Sequence, residues 1–109
     1  MTQEQELVKT YTEQLVAALN KCTEKNDPRI RKTFTYSVGK RYYKVGELSR
    51  FNGNLCSAEA FVDKTTGDVY KPAGWSKPAE HVRYNLLDRL SREECLDRAD
   101  PYGSYLYLR

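Results

Sequence analysis

Covalent or acid–base chemistry needs a nucleophile or a group that titrates near neutral pH, and this chain offers few. It has one histidine, His81, and three cysteines, Cys22, Cys56 and Cys95. Glu80 is the neighbour of His81, but adjacent helical residues do not face each other. One helical turn away lie Lys77 and Asn85, neither of them a carboxylate. A dyad of His81 with Cys56 or Cys95 would have to be assembled by the fold from a distance. No local spacing supports it, and a surface or helix-capping histidine is the plainer reading. The cysteines lie more than thirty positions apart, with no Cys-x-x-Cys, no His pair and no acidic calcium loop. Gly67 and Gly74 lack the Lys-Ser/Thr of a phosphate-binding loop. The expectation is a protein that is not an enzyme and holds neither metal nor cofactor.

Charge is the more informative signal. Residues 1–27 carry three Lys and five Asp/Glu, a balance of −2. Residues 28–50 carry seven Lys/Arg and one Glu, a balance of +6. The remainder carries eight Lys/Arg and nine Asp/Glu, a balance of −1. Within the basic segment Arg29, Arg31, Lys32, Lys40, Arg41 and Lys44 are interleaved with Phe34, Tyr36, Tyr42 and Tyr43. Single-stranded nucleic acid binds where cations follow the phosphates and exposed rings stack on the bases. Arg29, Arg31, Lys32, Lys40, Arg41, Tyr42 and Lys44 are therefore the candidate nucleic-acid or partner surface. The plainer reading is that Tyr and Lys are ordinary on solvated strands and that half of the rings belong to the core. No RNP-like signature or zinc-finger pattern is present.

Several elements must position these residues. Residues 3–24 read as an amphipathic helix. Leu7, Tyr11, Leu15, Ala18 and Cys22 form its stripe, Val8 and Leu19 widen it, and Thr2 is its N-cap. Lys25-Asn26-Asp27-Pro28 ends it. Thr33–Val38 alternates as a strand, Gly39-Lys40 fits a two-residue hairpin turn, and Arg41–Ser49 returns. One face of that second strand carries Tyr43, Val45 and Glu47, and the other Tyr42, Lys44, Gly46 and Leu48. Neither is cleanly apolar, so which face meets the core stays open. Gly46 is placed for a bulge. After the Asn52-Gly53 turn, Leu55–Asp63 forms a third strand with Cys56, Ala58, Ala60 and Val62 on one small-residue face. A short loop with Gly67 in the left-handed position leads to a fourth strand, Asp68–Lys71.

Beyond the Pro72-Ala73-Gly74-Trp75 corner, Ser76 fits an N-cap and Pro78 the first turn of a helix with Ala79, Val82, Leu86 and Leu90 on its apolar side. Trp75 is expected to close one end of the core, ahead of a ligand-site role. Ser91-Arg92-Glu93-Glu94 is a capping-box pattern and starts a second short helix, about residues 92–99. Ser104–Leu108 alternates, which suits either a closing strand or a peptide docked on a neighbour. The fold class is α+β: an N-terminal amphipathic helix, an antiparallel meander of about four strands, and a C-terminal helix or two short helices.

The 109 residues are the size of one domain, with 39% hydrophobic content for a modest core. No run approaches a membrane span, and the polar, acidic start lacks the features of a signal peptide. Three scattered thiols suit a reducing compartment, hence the cytoplasm. Phe61 to Asn85, FVDKTTGDVYKPAGWSKPAEHVRYN, resembles a segment of small uncharacterised phage and marine-metagenome viral proteins, with a looser match at Arg41-Tyr42-Tyr43-Lys44. The resemblance implies a virus-encoded protein working in the host cytoplasm, and no mechanism. The leading expectation is a binding protein acting through protein contacts or self-association, with the first helix and the Tyr-Leu-Tyr-Leu tail as anchors. Single-stranded nucleic-acid binding through residues 29–44 is the alternative, and a small enzyme using His81 the third reading.

Overall fold

The computed structural model describes residues 2–29 and 31–107. Helix α1 (Gln3–Thr23) leads into five strands, β1 (Phe34–Val38), β2 (Tyr42–Glu47), β3 (Ala60–Asp63), β4 (Asp68–Pro72) and β5 (Pro78–Asn85). Helix α2 (Arg89–Arg98) and a 3-10 turn (Ser104–Leu106) follow. The strands form one antiparallel sheet in chain order, β1-β2-β3-β4-β5. The α+β class and the meander hold, with five strands in place of about four.

Helix α1 starts where its cap chemistry dictates. Thr2 accepts from the Gln5 backbone N–H while the Gln5 side chain accepts from the Thr2 N–H, a reciprocal capping box. Its buried stripe is rotated by about one residue from the expected one. Val8, Thr12, Leu15, Leu19 and Thr23 are buried, whereas Leu7 and Cys22 are exposed. Two threonines can occupy the buried side because each hydroxyl is satisfied within the helix. Thr12 donates to the Val8 carbonyl at 2.8 Å and Thr23 to that of Asn20 at 2.9 Å. Asn20 acts as a substitute strand at the β1 edge, accepting from the Phe34 N–H and donating to its carbonyl.

The core lies between one face of the sheet and the helical layer. Phe34, Tyr43, Val45, Ala60, Val62 and Val69 from the sheet meet Val8, Leu15 and Leu19 of α1, and Leu86, Cys95, Ala99, Tyr105 and Leu106 from the C-terminal part. This settles the second strand: Tyr43 and Val45 face inward. The β1–β2 turn is one residue later than expected. Val38 pairs with Tyr43 and the Gly39 N–H donates to the Tyr42 carbonyl, so Lys40 and Arg41 form its tip.

Between β2 and β3 the register breaks. Val45 pairs with Ala60 but Leu48 bridges Leu55, so Gly46 and Glu47 face the four residues Cys56–Glu59. A Cβ on Gly46 would lie 1.9 Å from the Ser57 carbonyl oxygen, and only glycine admits that approach. The regular third strand therefore begins at Ala60, later than the expected Leu55.

The expected helix after Ser76 is instead strand β5. Pro78 opens an edge strand, one of the sheet positions that tolerates proline. The 3.6-residue spacing of Ala79, Val82, Leu86 and Leu90 was produced by three different environments: Val82 on the sheet, Leu86 in the core after the strand, and Leu90 exposed on α2. A register shift between Val69 and Tyr70 pairs Tyr84 with Val69 and Val82 with Tyr70. Residues two apart thus face opposite sides, which removes the alternation that marks a strand. Asn85 then turns the chain, its side-chain oxygen accepting from the N–H groups of Leu87 and Asp88. Asp88 stands at the N-cap position of α2 without a side-chain capping bond, and Ser91 accepts from the Asn85 N–H instead of starting a helix of its own. As far as Tyr107 the tail is not a strand but a 3-10 turn. Tyr105 and Leu106 are buried in the chain's own core, and residues 108 and 109 lie outside the described residues.

The Gly46 contact makes a direct prediction. Gly46→Ala should lower stability by more than about 2 kcal/mol. Gly74→Ala, at a glycine with nothing within 4 Å of its Cβ position, should stay within about 0.5 kcal/mol of the parent. Urea midpoints at constant slope measure both.

Candidate functional site

Because both helices and the 3-10 turn lie on one side, the other side of the sheet is left uncovered by any helix. Alternation along β2 delivers Tyr42 and Lys44 to it. Phe61 of β3 lies opposite Lys44 and Tyr70 in the ladder and is 3% exposed, although it takes no part in the main core. It is buried instead by rings. Tyr42 meets Phe61 edge-on at 5.9 Å and Tyr70 edge-on at 6.1 Å between centroids. Such edge-to-face contacts join the negative face of one ring to the positive edge of another.

Trp75 completes this layer. It is 53% exposed and stands on the open face, where the Lys44 ammonium lies 3.1 Å from its ring centroid. The expectation that Trp75 closes the core is therefore corrected: the Pro-Ala-Gly corner carries it over the sheet, away from the helices. Partial burial lowers the pKa of Lys44. Arg41 lies over the Tyr42 ring at 5.2 Å and donates to Asp63 at 3.2 Å. Burial raises the pKa of Asp63, but the backbone N–H groups of Thr66 and Thr65 and the Arg41 guanidinium outweigh it and hold the carboxylate below its ordinary value. Asp63 is thus a neutralised charge on this face.

Four of the seven candidate residues come together here. Lys40, Arg41, Tyr42 and Lys44 line one hollow of about 210 Å³, with Phe61 as an apolar wall and Ser76 at its rim. On the other flank of Trp75 a shallow apolar hollow of about 340 Å³ is lined by Ala58, Pro72, Ala73 and Gly74. The arrangement is a cationic depression beside an exposed indole, able to take an anionic group on one side and a flat ring or apolar group on the other.

Arg29, Arg31 and Lys32 are not part of it. They sit before β1, and Lys32 is roughly 25 Å of extended chain from Lys40. Arg29 pairs with Asp27 at 2.9 Å. Arg31 donates to the carbonyls of Glu24 and Asn26 at the end of α1, where unpaired carbonyls favour a cation. Lys32 lies over the Tyr102 ring at 5.2 Å and 3.9 Å from Glu47. Arg50 pins the same stretch by donating to the carbonyls of Arg29 and Arg31. These cations fix the connection from α1 to β1. The sequence reading missed Phe61 and Tyr70 and placed a ligand-site role for Trp75 second. Phe61 and Tyr70 were findable from strand alternation once the pairing was known, while Trp75 depends on the direction of a corner that no periodicity encodes.

His81 is exposed on β5, and Lys77 and Asn85 are not one turn from it, because there is no helix there. Among the described residues no group of three or more His, Cys, Asp or Glu is placed to hold a metal, and no helix is long and apolar enough to cross a membrane.

The profile of a family of unknown function, DUF7717, matches residues 1–108. The chain belongs to that family. No curated protein and no solved structure matches it. Membership in DUF7717 carries no activity, so chemistry has to be read from the side chains themselves.

One buried group of this DUF7717 chain titrates in the physiological range. The bulge opposite Gly46 brings Glu59, 8% exposed, against Tyr105, with Gly103 3.7 Å from its carboxylate by the position of an added Cβ. Glu59 Oε2 and the Tyr105 hydroxyl are both buried without a hydrogen bond of ordinary geometry. Burial pushes the Glu59 carboxyl up to about 7, with Asp100 adding to the rise and Tyr105 and Lys32 opposing it. Its folded pKa therefore exceeds its unfolded value of 4.5. The proton is bound more tightly in the folded chain, so this contribution to stability is complete below pH 4.5 and is lost as pH rises through about 7. The span corresponds to at most about 3 kcal/mol. Glu59→Gln should therefore melt several degrees above the parent at pH 8 and close to it at pH 5. Circular-dichroism melts across that range check this, and equal pH dependence in both proteins would refute it.

Proposed function

We propose that this protein is a non-enzymatic binding module whose open sheet face receives single-stranded nucleic acid. The observation that supports this best is the convergence of Lys40, Arg41, Tyr42 and Lys44 in one hollow beside the exposed indole of Trp75. Phosphates find cations in the hollow, and a base can stack on the indole face turned away from Lys44. The excess of positive charge over residues 28–50 raises the local concentration of a polyanion. The resemblance of Phe61–Asn85 to small phage and marine viral proteins supports a virus-encoded setting in the host cytoplasm, where such strands are abundant.

The reading through protein contacts loses its first anchors. The buried side of α1 and residues Tyr105 and Leu106 are used by the chain's own core. It keeps exposed apolar side chains, among them Phe51, 97% exposed at a loop tip, and Tyr107 of the tail, 59% exposed. An enzymatic use of His81 has no supporting side-chain contact among the described residues.

The test is a titration of single-stranded RNA and DNA of roughly ten nucleotides, followed by Trp75 emission. The chain has one Trp beside nine Tyr, so emission excited at the red edge, where Tyr does not absorb, reports on this face. Binding at low salt should quench Trp75 and weaken steeply as salt rises. Lys44→Glu, read by Trp75 emission, and Trp75→Ala, read by the anisotropy of a labelled strand, should each weaken binding by about tenfold, in keeping with a stacking contribution of ~1–3 kcal/mol per base. Arg41 is a poor target, because its removal leaves the buried Asp63 carboxylate without its cation. No quench and no anisotropy change at low salt would overturn the reading. Concentration-dependent mass lost in Phe51→Ser would then favour self-contact.

A further inference from the structure

A second cationic hollow adjoins the first across the tip of the β1–β2 hairpin. It measures about 350 Å³ and is lined by Gln5 and Lys9 of α1, Val38 and Lys40 of the hairpin, Tyr43, and Lys64 and Thr65 of the β3–β4 loop. Val38 and Lys40 line both hollows. The first opens on the Tyr42 side of β2 and the second on the Tyr43 side, so together they straddle the end of the sheet. Lys64 donates to the Gly39 carbonyl at 3.0 Å and lies 5.7 Å from the Tyr43 ring, which ties the loop to the hairpin and fixes the distance between the cations. Five cations, Lys9, Lys40, Arg41, Lys44 and Lys64, line the two hollows or the tip. Asp63 is already engaged by Arg41 and by the backbone of Thr65 and Thr66, and Glu13, which acts on Tyr43, accepts from the Tyr36 hydroxyl at 2.9 Å. Val38, 64% exposed, forms an apolar rim between the two basins.

We infer that a bound strand does not stop on the open face but turns over the Lys40–Arg41 tip and places further phosphates against Lys9 and Lys64. The inference rests on the nucleic-acid reading above and narrows it. A path that folds around a tip two residues wide requires a flexible backbone, which a single strand has and a duplex lacks. The protein therefore discriminates single strands from duplexes by shape. The second hollow adds length and salt dependence to the interaction, not base identity.

The test compares the parent with Lys9→Gln/Lys64→Gln, a pair that keeps a hydrogen-bond donor at each position. Anisotropy titrations over a salt series use a single strand of roughly ten nucleotides, one of about three, and a duplex of the longer sequence. On the long strand the double variant should lose about 1.4 from the slope of log K against log salt, at ~0.7 per phosphate contact for two contacts. On the short strand parent and variant should agree. The duplex should bind the parent at least tenfold more weakly than the long single strand. An unchanged slope on the long strand, with Lys44→Glu still weakening binding about tenfold, would overturn this inference and leave the open-face reading intact. Equal binding of duplex and single strand would also overturn it. A parent that binds neither strand overturns both. Melting curves of the double variant establish that it is folded, and the single variants replace it if it is not.

Discussion

The backbone of Ser57 crosses so close to Gly46 that no side chain fits between them, and the two faces of the sheet follow from that approach. It sits where the β2–β3 ladder stops being regular. The Glu59 N–H donates to the Val45 carbonyl at 2.7 Å and the Cys56 N–H to that of Glu47 at 2.8 Å, with the extra residues folded over the glycine. On the near side of this point Tyr43 and Val45 are fixed toward the helices, so Tyr42 and Lys44 must face the other way. A slip of one residue would exchange the two sets and put a lysine in the core. The same bulge turns Glu59 against the C-terminal segment, so one tight contact governs the core, the open face and the buried carboxyl.

A face without helices still has to shield its apolar rings. Here the shielding is done by edge-on packing of Tyr42, Phe61 and Tyr70 and by the amphipathic reach of Lys44 across Trp75. A lysine can cover an indole and keep its charge near solvent, since its stem is apolar and its head is not. Cationic and aromatic groups are therefore adjacent for structural reasons before any ligand is considered. That adjacency is also what recognition of a strand of phosphates and bases requires.

Helix α1, the alternation of β1 and β2 and the Gly67 loop were legible because each is a local pattern with a local stop. The rotation of the α1 stripe was not, since Thr12 and Thr23 read as polar until their internal hydrogen bonds are seen. Strand β5 was hidden by its register shift and by a coincidence of spacing among Val82, Leu86 and Leu90. Of the candidate surface, the contiguous residues Lys40–Tyr42 with Lys44 were brought to one place, because a hairpin keeps sequence neighbours together. Arg29, Arg31 and Lys32 belong to the same charge run but lie beyond the strand's far end, where carbonyls, a ring and carboxylates had a use for them. Composition records charge along the chain, and a strand separates its two ends in space.

The strand order equals the chain order, and this bears on how the molecule is made. Each strand pairs with its predecessor, over short loops except at residues 48–59 between β2 and β3, where the Leu48–Leu55 bridge shortens the closure, so sheet assembly can proceed hairpin by hairpin during synthesis. The layer that covers the sheet comes from both sides of it in sequence: α1 precedes the strands, while Leu86, Cys95, Tyr105 and Leu106 follow them. A nascent chain can thus hold a formed sheet with an unfinished hydrophobic side until Leu106 has emerged. Its aggregation hazard lies in that interval, and a slow passage through the codons of residues 86–106 would prolong it.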